Sequence, residues 1–226
     1  MQINSPQDLA PFIQHTLIKA GTTHEQIVAH AEEAVAQNFG AVMVPASWVP
    51  EVAAVVKGTG VLVASALDFP TVGVMTSRGK AAEAEAIAKA GADQIDIGVQ
   101  VGWLKSGRDD DFRNDIAGVV EASGLPVKVM LELPLLSDDE KERAVELAMD
   151  AGAKWLKNAS SGAIETANPE SVRYLVERVR EGVLVKASGA ITGYDQAVAL
   201  VEAGASALGT SAGLELVQGD TASTSY

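Results

Sequence analysis

Gly91-Ala92-Asp93-Gln94-Ile95-Asp96-Ile97-Gly98 is the stretch whose reading decides the fold. Its first glycine closes an alanine-rich helical segment, as a left-handed C-cap residue does, and the chain then runs at once into an apolar, strand-like segment. The same order recurs where Ala151-Gly152-Ala153 precedes Trp155-Leu156-Lys157 and where Ala203-Gly204-Ala205 precedes Ala207-Leu208-Gly209. A looser copy, Phe39-Gly40-Ala41, precedes Val42-Met43-Val44. Successive glycines of this set stand 51, 61 and 52 residues apart, room for two strand-plus-helix units in each interval. The intervening units are short β-branched runs at 61–64, 127–131 and 183–186, each following a Gly or Pro signal. With 12–17 at the front, the chain holds eight candidate strands. Helical patterns lie between them at 23–38, 47–57, 76–90, 109–123, 137–151, 169–181 and 194–203. Ser137-Asp138-Asp139-Glu140 has the form of a capping box. Strands alternating with helices imply parallel pairing with both faces covered. Eight such units predict an α/β chain folded as a single (β/α)8 barrel, a TIM barrel, over 1–218, with 219–226 as a flexible tail. An open doubly wound sheet is the alternative, but it wants a glycine-rich turn after the first strand. Leu17-Ile18-Lys19-Ala20-Gly21 offers only one glycine there.

Composition narrows the function. The chain has 226 residues, 47% of them hydrophobic, and no cysteine, which excludes disulfides, a thiolate nucleophile and a cysteine zinc site. Seventeen Lys and Arg against thirty Asp and Glu give a net charge of −13, a field that repels nucleic acid and anionic membrane surfaces. No apolar run reaches the ~18 residues a membrane span needs, because Asp68 and Arg78 interrupt the longest region. Residues 1–12 lack a basic segment followed by an apolar run, so a cytoplasmic protein without nucleic-acid or membrane partners is expected.

In a barrel, polar residues at the C-terminal ends of strands are the candidates for chemistry. Asp96, Glu132, Lys157 and Lys186 meet that description. Single lysines are ordinarily solvated. Two at equivalent depth in neighbouring strands are unusual, and strands about 4.8 Å apart would bring their amines together. A like charge and a dry setting both depress a lysine pKa, leaving a neutral amine able to attack a carbonyl and form a Schiff base. A carboxylate such as Asp96 would then move protons among the intermediates, or simply balance charge. Lys128 alternates with Met130 and Glu132 and reads as a structural ion-pair partner inside the barrel. His15, His24 and His30 show no metal-ligand spacing, so no metal and no cofactor is expected. The loops Ser188-Gly189-Ala190 and Gly209-Thr210-Ser211-Ala212-Gly213 are placed where barrels commonly hold phosphate, although such glycines also serve tight turns.

These residues resemble the deoxyribose-phosphate aldolase family of class I, Schiff-base aldolases. The matching segments include His15-Thr16-Leu17-Ile18-Lys19, Gly91-Ala92-Asp93-Gln94-Ile95-Asp96, Leu104-Lys105-Ser106-Gly107, Val127-Lys128-Val129, Leu156-Lys157 and Val185-Lys186-Ala187-Ser188-Gly189. The resemblance implies cleavage of 2-deoxyribose 5-phosphate to glyceraldehyde 3-phosphate and acetaldehyde. It implies Lys157 as the Schiff-base residue, Lys186 as the group that perturbs it, Asp96 in proton transfer and Tyr226 as a further proton-transfer candidate. Substrate contacts are implied at Gln14 and Thr16, at Ser160, Ser161 and Gly162, and at Gly189, Ala190, Gly209 and Ser211. A homodimer is the expected assembly.

The chain departs from the family pattern at the phosphate end. Gln14 stands where the family usually has Asp. Asn158-Ala159-Ser160-Ser161-Gly162 replaces the usual Thr-Ser-Thr-Gly, with no basic residue following. Ala190 and Thr192 replace a Gly and commonly an Arg, and Ala212 replaces a Ser. Charge-assisted hydrogen bonds contribute ~1.5–3 kcal/mol each, so weak discrimination for phosphate is expected. A relative that binds ligand without turnover is the non-enzymatic alternative.

Overall fold

The computed structural model describes residues 3–225. Its strands are β1 (Ile13–Thr16), β2 (Ala41–Val44), β3 (Leu62–Leu67), β4 (Gln94–Gly98), β5 (Val127–Met130), β6 (Trp155–Lys157), β7 (Leu184–Ser188) and β8 (Ala207–Thr210). They pair in parallel and in chain order, and β8 returns to β1, so the sheet closes as the expected (β/α)8 barrel. The closure removes the open doubly wound alternative. Among the described residues no helix is long and apolar enough to cross a membrane.

Period-two alternation divides each strand between two environments. Val42, Val63, Ile95, Ile97, Val127, Val129, Leu156, Val185 and Leu208 belong to one continuous apolar cluster beneath the helices. The alternate residues, among them Gln14, Thr16, Asp96, Lys128, Lys157 and Lys186, are also buried, but they fill the barrel interior. Register then aligns Asp96 with Lys128 and Lys157 with Lys186. The polar residues of the interior are therefore neighbours because the apolar ones needed the other face.

The covering helices are α1 (His24–Ala36), α2 (Val49–Val56), α3 (Ser77–Ala90), α4 (Val101–Lys105), α5 (Asp109–Ser123), α6 (Asp138–Asp150), α7 (Pro169–Val176), α8 (Tyr194–Glu202) and α9 (Gly213–Gln218). Ser137 and Glu140 make the anticipated reciprocal cap of α6. Left-handed Gly91, φ 107°, ends α3 as its sequence suggests. Helices α4 and α9 and a 3-10 turn at Pro6–Phe12 were not anticipated, because segments this short carry no readable 3.6-residue period. Helix α7 stops at Val176, short of the expected 181. β3 runs to Leu67 because its later residues, too, sit in the sheet against β4. Residues read as a mobile tail fold back over the rim. Thr221 bridges Gly193, and the Ser225 hydroxyl lies 3.2 Å from Thr210 Oγ1 and accepts the Ser211 N–H at 3.2 Å.

One buried ion cluster locks helices to strands. Lys80 of α3 is fully buried and reaches Asp115 of α5 at 2.6 Å, Asp68 after β3 at 3.0 Å and the Gly98 carbonyl at 2.8 Å. Asp68 in turn accepts the N–H groups of Gly73, Val74 and Met75, fixing the loop that carries Phe69. Removing one member of a buried ion set strands the others without compensation. Lys80→Ala is expected to lose about 3–5 kcal/mol of stability, read as a lower urea midpoint with little change in slope.

Candidate active site

Asp96 is the centre of the barrel interior, and no part of it is exposed. Its Oδ1 lies 3.1 Å from Lys128 Nζ, and its Oδ2 accepts from Lys186 Nζ at 2.7 Å and from Lys157 Nζ at 3.5 Å. Lys128 has the structural ion-pair role its alternation suggested. Burial pushes the Asp96 carboxyl upward, but the three surrounding ammonium groups outweigh that and hold it well below the usual carboxylate range. Burial also pushes Lys128 down to about 8, opposed by Asp96 and assisted by Lys186 and Lys157. Lys157 is lowered too, by burial first, with the negative charges of Asp96 and Glu132 working against the shift. The dry setting, more than a neighbouring like charge, is the cause of that depression.

The two amines of the β6–β7 pair share one carboxylate oxygen but differ in access. Lys157 lines a narrow cavity of about 10 Å³ with Thr16, Ile18, Met43, Ala66, Phe69, Asp96 and Met130. Lys186 does not line it. Through Thr16, Ile18 and Phe69 the cavity continues into a wider hollow bounded by Leu17, Lys19, Ser211, Thr224 and Ser225. Of the two amines, Lys157 is the one that borders this space, beside Asp96.

The rim loops are cross-tied. Asn158 Nδ2 donates to the Ser188 carbonyl at 3.0 Å and to Glu165 at 2.6 Å, while its Oδ1 accepts the Ser188 N–H at 2.9 Å. Glu132 accepts the Ser160 N–H at 2.9 Å. Gly189, φ 117°, has no room for a side chain: a Cβ there would lie 2.0 Å from the Glu165 carbonyl oxygen. A Cβ on Gly162 would meet that of Ala190 at 2.8 Å, so this pair packs one wall against the other. Ser160, Ser161, Gly162, Gly189 and Ala190 consequently stand together, and Gly209 and Ser211 lie on the adjoining β8 side. Ala190 itself is left-handed at φ 46°, a conformation that suits glycine.

One of the expected contacts, Gln14, is placed elsewhere. Gln14 does not border the cavity: its Nε2 donates to Gln94 Oε1 at 3.2 Å, below Thr16, and its own Oε1 is buried without a hydrogen-bond partner among the described residues. Tyr226 lies outside the described residues. Asn158 and Glu165 were not anticipated, because Asn158 ties their shared loop to Ser188, thirty residues further along the chain. His15 points outward beneath α1, with Nε2 2.5 Å from Glu33 and its ring stacked on His30 at 3.8 Å. His30 Nε2 bonds the His15 carbonyl oxygen at 3.1 Å, and burial, then His15, pushes His30 down to about 4. These three groups come within 4.8 Å of one another although their sequence spacing gave no sign of it. Their rings stack face to face, and both Nε2 atoms already have partners.

No protein-family model matches the chain. Full-length relatives do. The deoxyribose-phosphate aldolase of a Geobacillus species is 40% identical over 221 residues, covering 97% of this chain and 99% of that one. The one from Methanothermobacter thermautotrophicus is 37% identical over 220 residues, covering 97% and 98%. Among solved structures, a tetrameric deoxyribose phosphate aldolase from Aeropyrum pernix superposes with a TM-score of 0.86 at 28% identity, over 96% of this chain and 92% of that one. With identity at that level spread over nearly its whole length, and the same closed barrel, the chain belongs to the deoxyribose-phosphate aldolase family.

Proposed function

We propose that the chain cleaves 2-deoxy-D-ribose 5-phosphate reversibly to D-glyceraldehyde 3-phosphate and acetaldehyde, through a Schiff base on Lys157. The observation that carries this reading is the unequal access of two buried lysines that share Asp96. Lys157 borders the cavity, and burial lowers its pKa. Lys186, at 2.7 Å, makes the closer ion pair with the carboxylate.

The neutral Lys157 amine adds to the aldehyde carbon of the open-chain sugar, and loss of water leaves a protonated imine. A base takes the proton from the C3 hydroxyl, the C2–C3 bond breaks, and its electrons move into the imine to give an enamine. Glyceraldehyde 3-phosphate leaves. Protonation of the enamine carbon and addition of water then release acetaldehyde and the free amine. Asp96 is the proposed proton carrier, acting within a dry pocket where its charge is set by Lys128 and Lys186. Tyr226 is proposed as a second proton-transfer group on its sequence position alone. Thr16 borders the cavity and would meet the substrate chain, while Ser160, Ser161, Gly162, Gly189, Gly209 and Ser211 would face its far end.

A second reading is favoured by that far end: an aldolase with little preference for phosphorylated sugars. Ala190 stands in a glycine conformation, Ser225 already takes the Ser211 N–H, and Lys19 is the one basic side chain on the wider hollow among the described residues. We infer a cytoplasmic homo-oligomer, the dimer of the sequence reading set against the tetramer described for the Aeropyrum pernix relative; light scattering separates the two.

Borohydride reduction in the presence of acetaldehyde is expected to leave a two-carbon adduct on Lys157, found by peptide mass spectrometry; an adduct on Lys186, or none, refutes the assignment. The trapping rate should rise with pH, because only the neutral amine reacts, with a midpoint below the ordinary lysine value of ~10.5. Asp96→Asn should move that midpoint lower still, since the carboxylate is what raises it. For the far end, kcat/KM for deoxyribose 5-phosphate is expected to exceed that for deoxyribose by less than about a thousandfold, ~4 kcal/mol; a larger ratio favours a conventional phosphate site.

A further inference from the structure

Glu132 is the second residue beyond β5, only 1% exposed, and its backbone is left-handed at φ 55°, ψ 49°. Residues other than glycine seldom adopt that conformation, and where they do the surrounding contacts hold them there. Its contacts run to the loop after β6. One carboxylate oxygen accepts the Ser160 N–H at 2.9 Å, and the next residue, Leu133, donates its N–H to the Asn158 carbonyl at 3.0 Å. Ser160 stands three residues beyond Lys157, and its carbonyl oxygen lies 3.5 Å from Lys157 Nζ. A carboxylate, the Ser160 backbone and the amine are therefore linked in sequence. The Ser160 N–H and carbonyl belong to successive peptide planes that meet at its Cα, so a charge-assisted bond to the N–H restrains the carbonyl through the φ and ψ of that one residue, which is itself buried. Burial raises the Glu132 carboxyl, whereas Ser160 and Lys157 favour its charged form.

We propose that Glu132 is a positioning residue for Lys157: by clamping the Ser160 peptide from beneath the rim, it aims the amine at the carbonyl carbon of the bound aldehyde. The inference rests on the Schiff-base reading of Lys157. It explains why a strained, buried carboxyl occupies the end of β5, where the mechanism above gives it no chemical step. The second oxygen, buried without a hydrogen-bond partner among the described residues, is left over from an arrangement that uses the first.

The test compares two variants in the full chain. Glu132→Gly accepts the left-handed backbone without strain and removes the clamp together with the negative charge that acts on Lys157, whereas the second variant removes the charge alone. Glu132→Gln keeps an oxygen that can accept the Ser160 N–H. With saturating acetaldehyde and borohydride, Glu132→Gly should label Lys157 at least about tenfold more slowly than the unaltered chain, in the range that a misplacement of ~1 Å produces. Glu132→Gln should label within about threefold of the unaltered chain, and hydrogen exchange at the Ser160 amide should be fast in the first variant and slow in the second. Equal labelling in Glu132→Gly, or a Glu132→Gln variant as slow as Glu132→Gly, overturns the positioning role and leaves the aldolase reading intact. An unaltered chain that leaves Lys157 unlabelled overturns that reading, and this inference falls with it.

Discussion

Three ammonium groups and one carboxylate meet inside the barrel, and the character of the site follows from that imbalance. A buried charge without a partner is strongly disfavoured. Asp96 provides one negative charge for Lys128, Lys157 and Lys186, so the set is short of anions by construction. Burial relieves the shortage by releasing protons, and both Lys128 and Lys157 are pushed down from the ordinary lysine range. Lys157 is the member of the set that borders the cavity, which is why the proposed chemistry is placed there.

Keeping this set in place falls to two polar assemblies outside it. At the rim, Asn158 binds both the N–H and the carbonyl of Ser188, and Glu165 holds Asn158, so the loops after β6 and β7 move as one piece. On the other side of the barrel, Lys80 ties Asp68, Asp115 and Gly98, fixing the loop that brings Phe69 to the cavity. Three of the four left-handed residues other than glycine in the described chain, Asp68, Glu132 and Ala190, stand at C-terminal strand ends. The Lys80 assembly holds Asp68 and the bond to the Ser160 N–H holds Glu132, as expected where a fold keeps side chains at a rim.

The phosphate side differs from the amine side in the same physical terms. The amines are placed by β-ladder register, which tolerates no slip because a shift of one residue would turn every interior side chain outward. The rim beyond β7 and β8 is loop, where Ala190 takes a left-handed backbone and residues 220–225 fold across it.

Much of this was legible in the residues alone. The glycine-closed helices and β-branched runs determined the eightfold alternation, and alternation within strands put Asp96, Lys128, Lys157 and Lys186 on one face, because local periodicity follows from backbone geometry. What remained hidden depends on contacts between segments far apart in sequence. Gln14 turns to Gln94 eighty residues away instead of to the cavity. His15, His30 and Glu33 converge across β1 and α1, Asn158 finds Ser188 and Glu165, and Glu132 finds Ser160. That Lys157 and not Lys186 borders the cavity likewise depended on how the barrel closed and shaped its mouth. A linear pattern records which face a side chain occupies, but the partner it meets on that face is set by packing between distant segments.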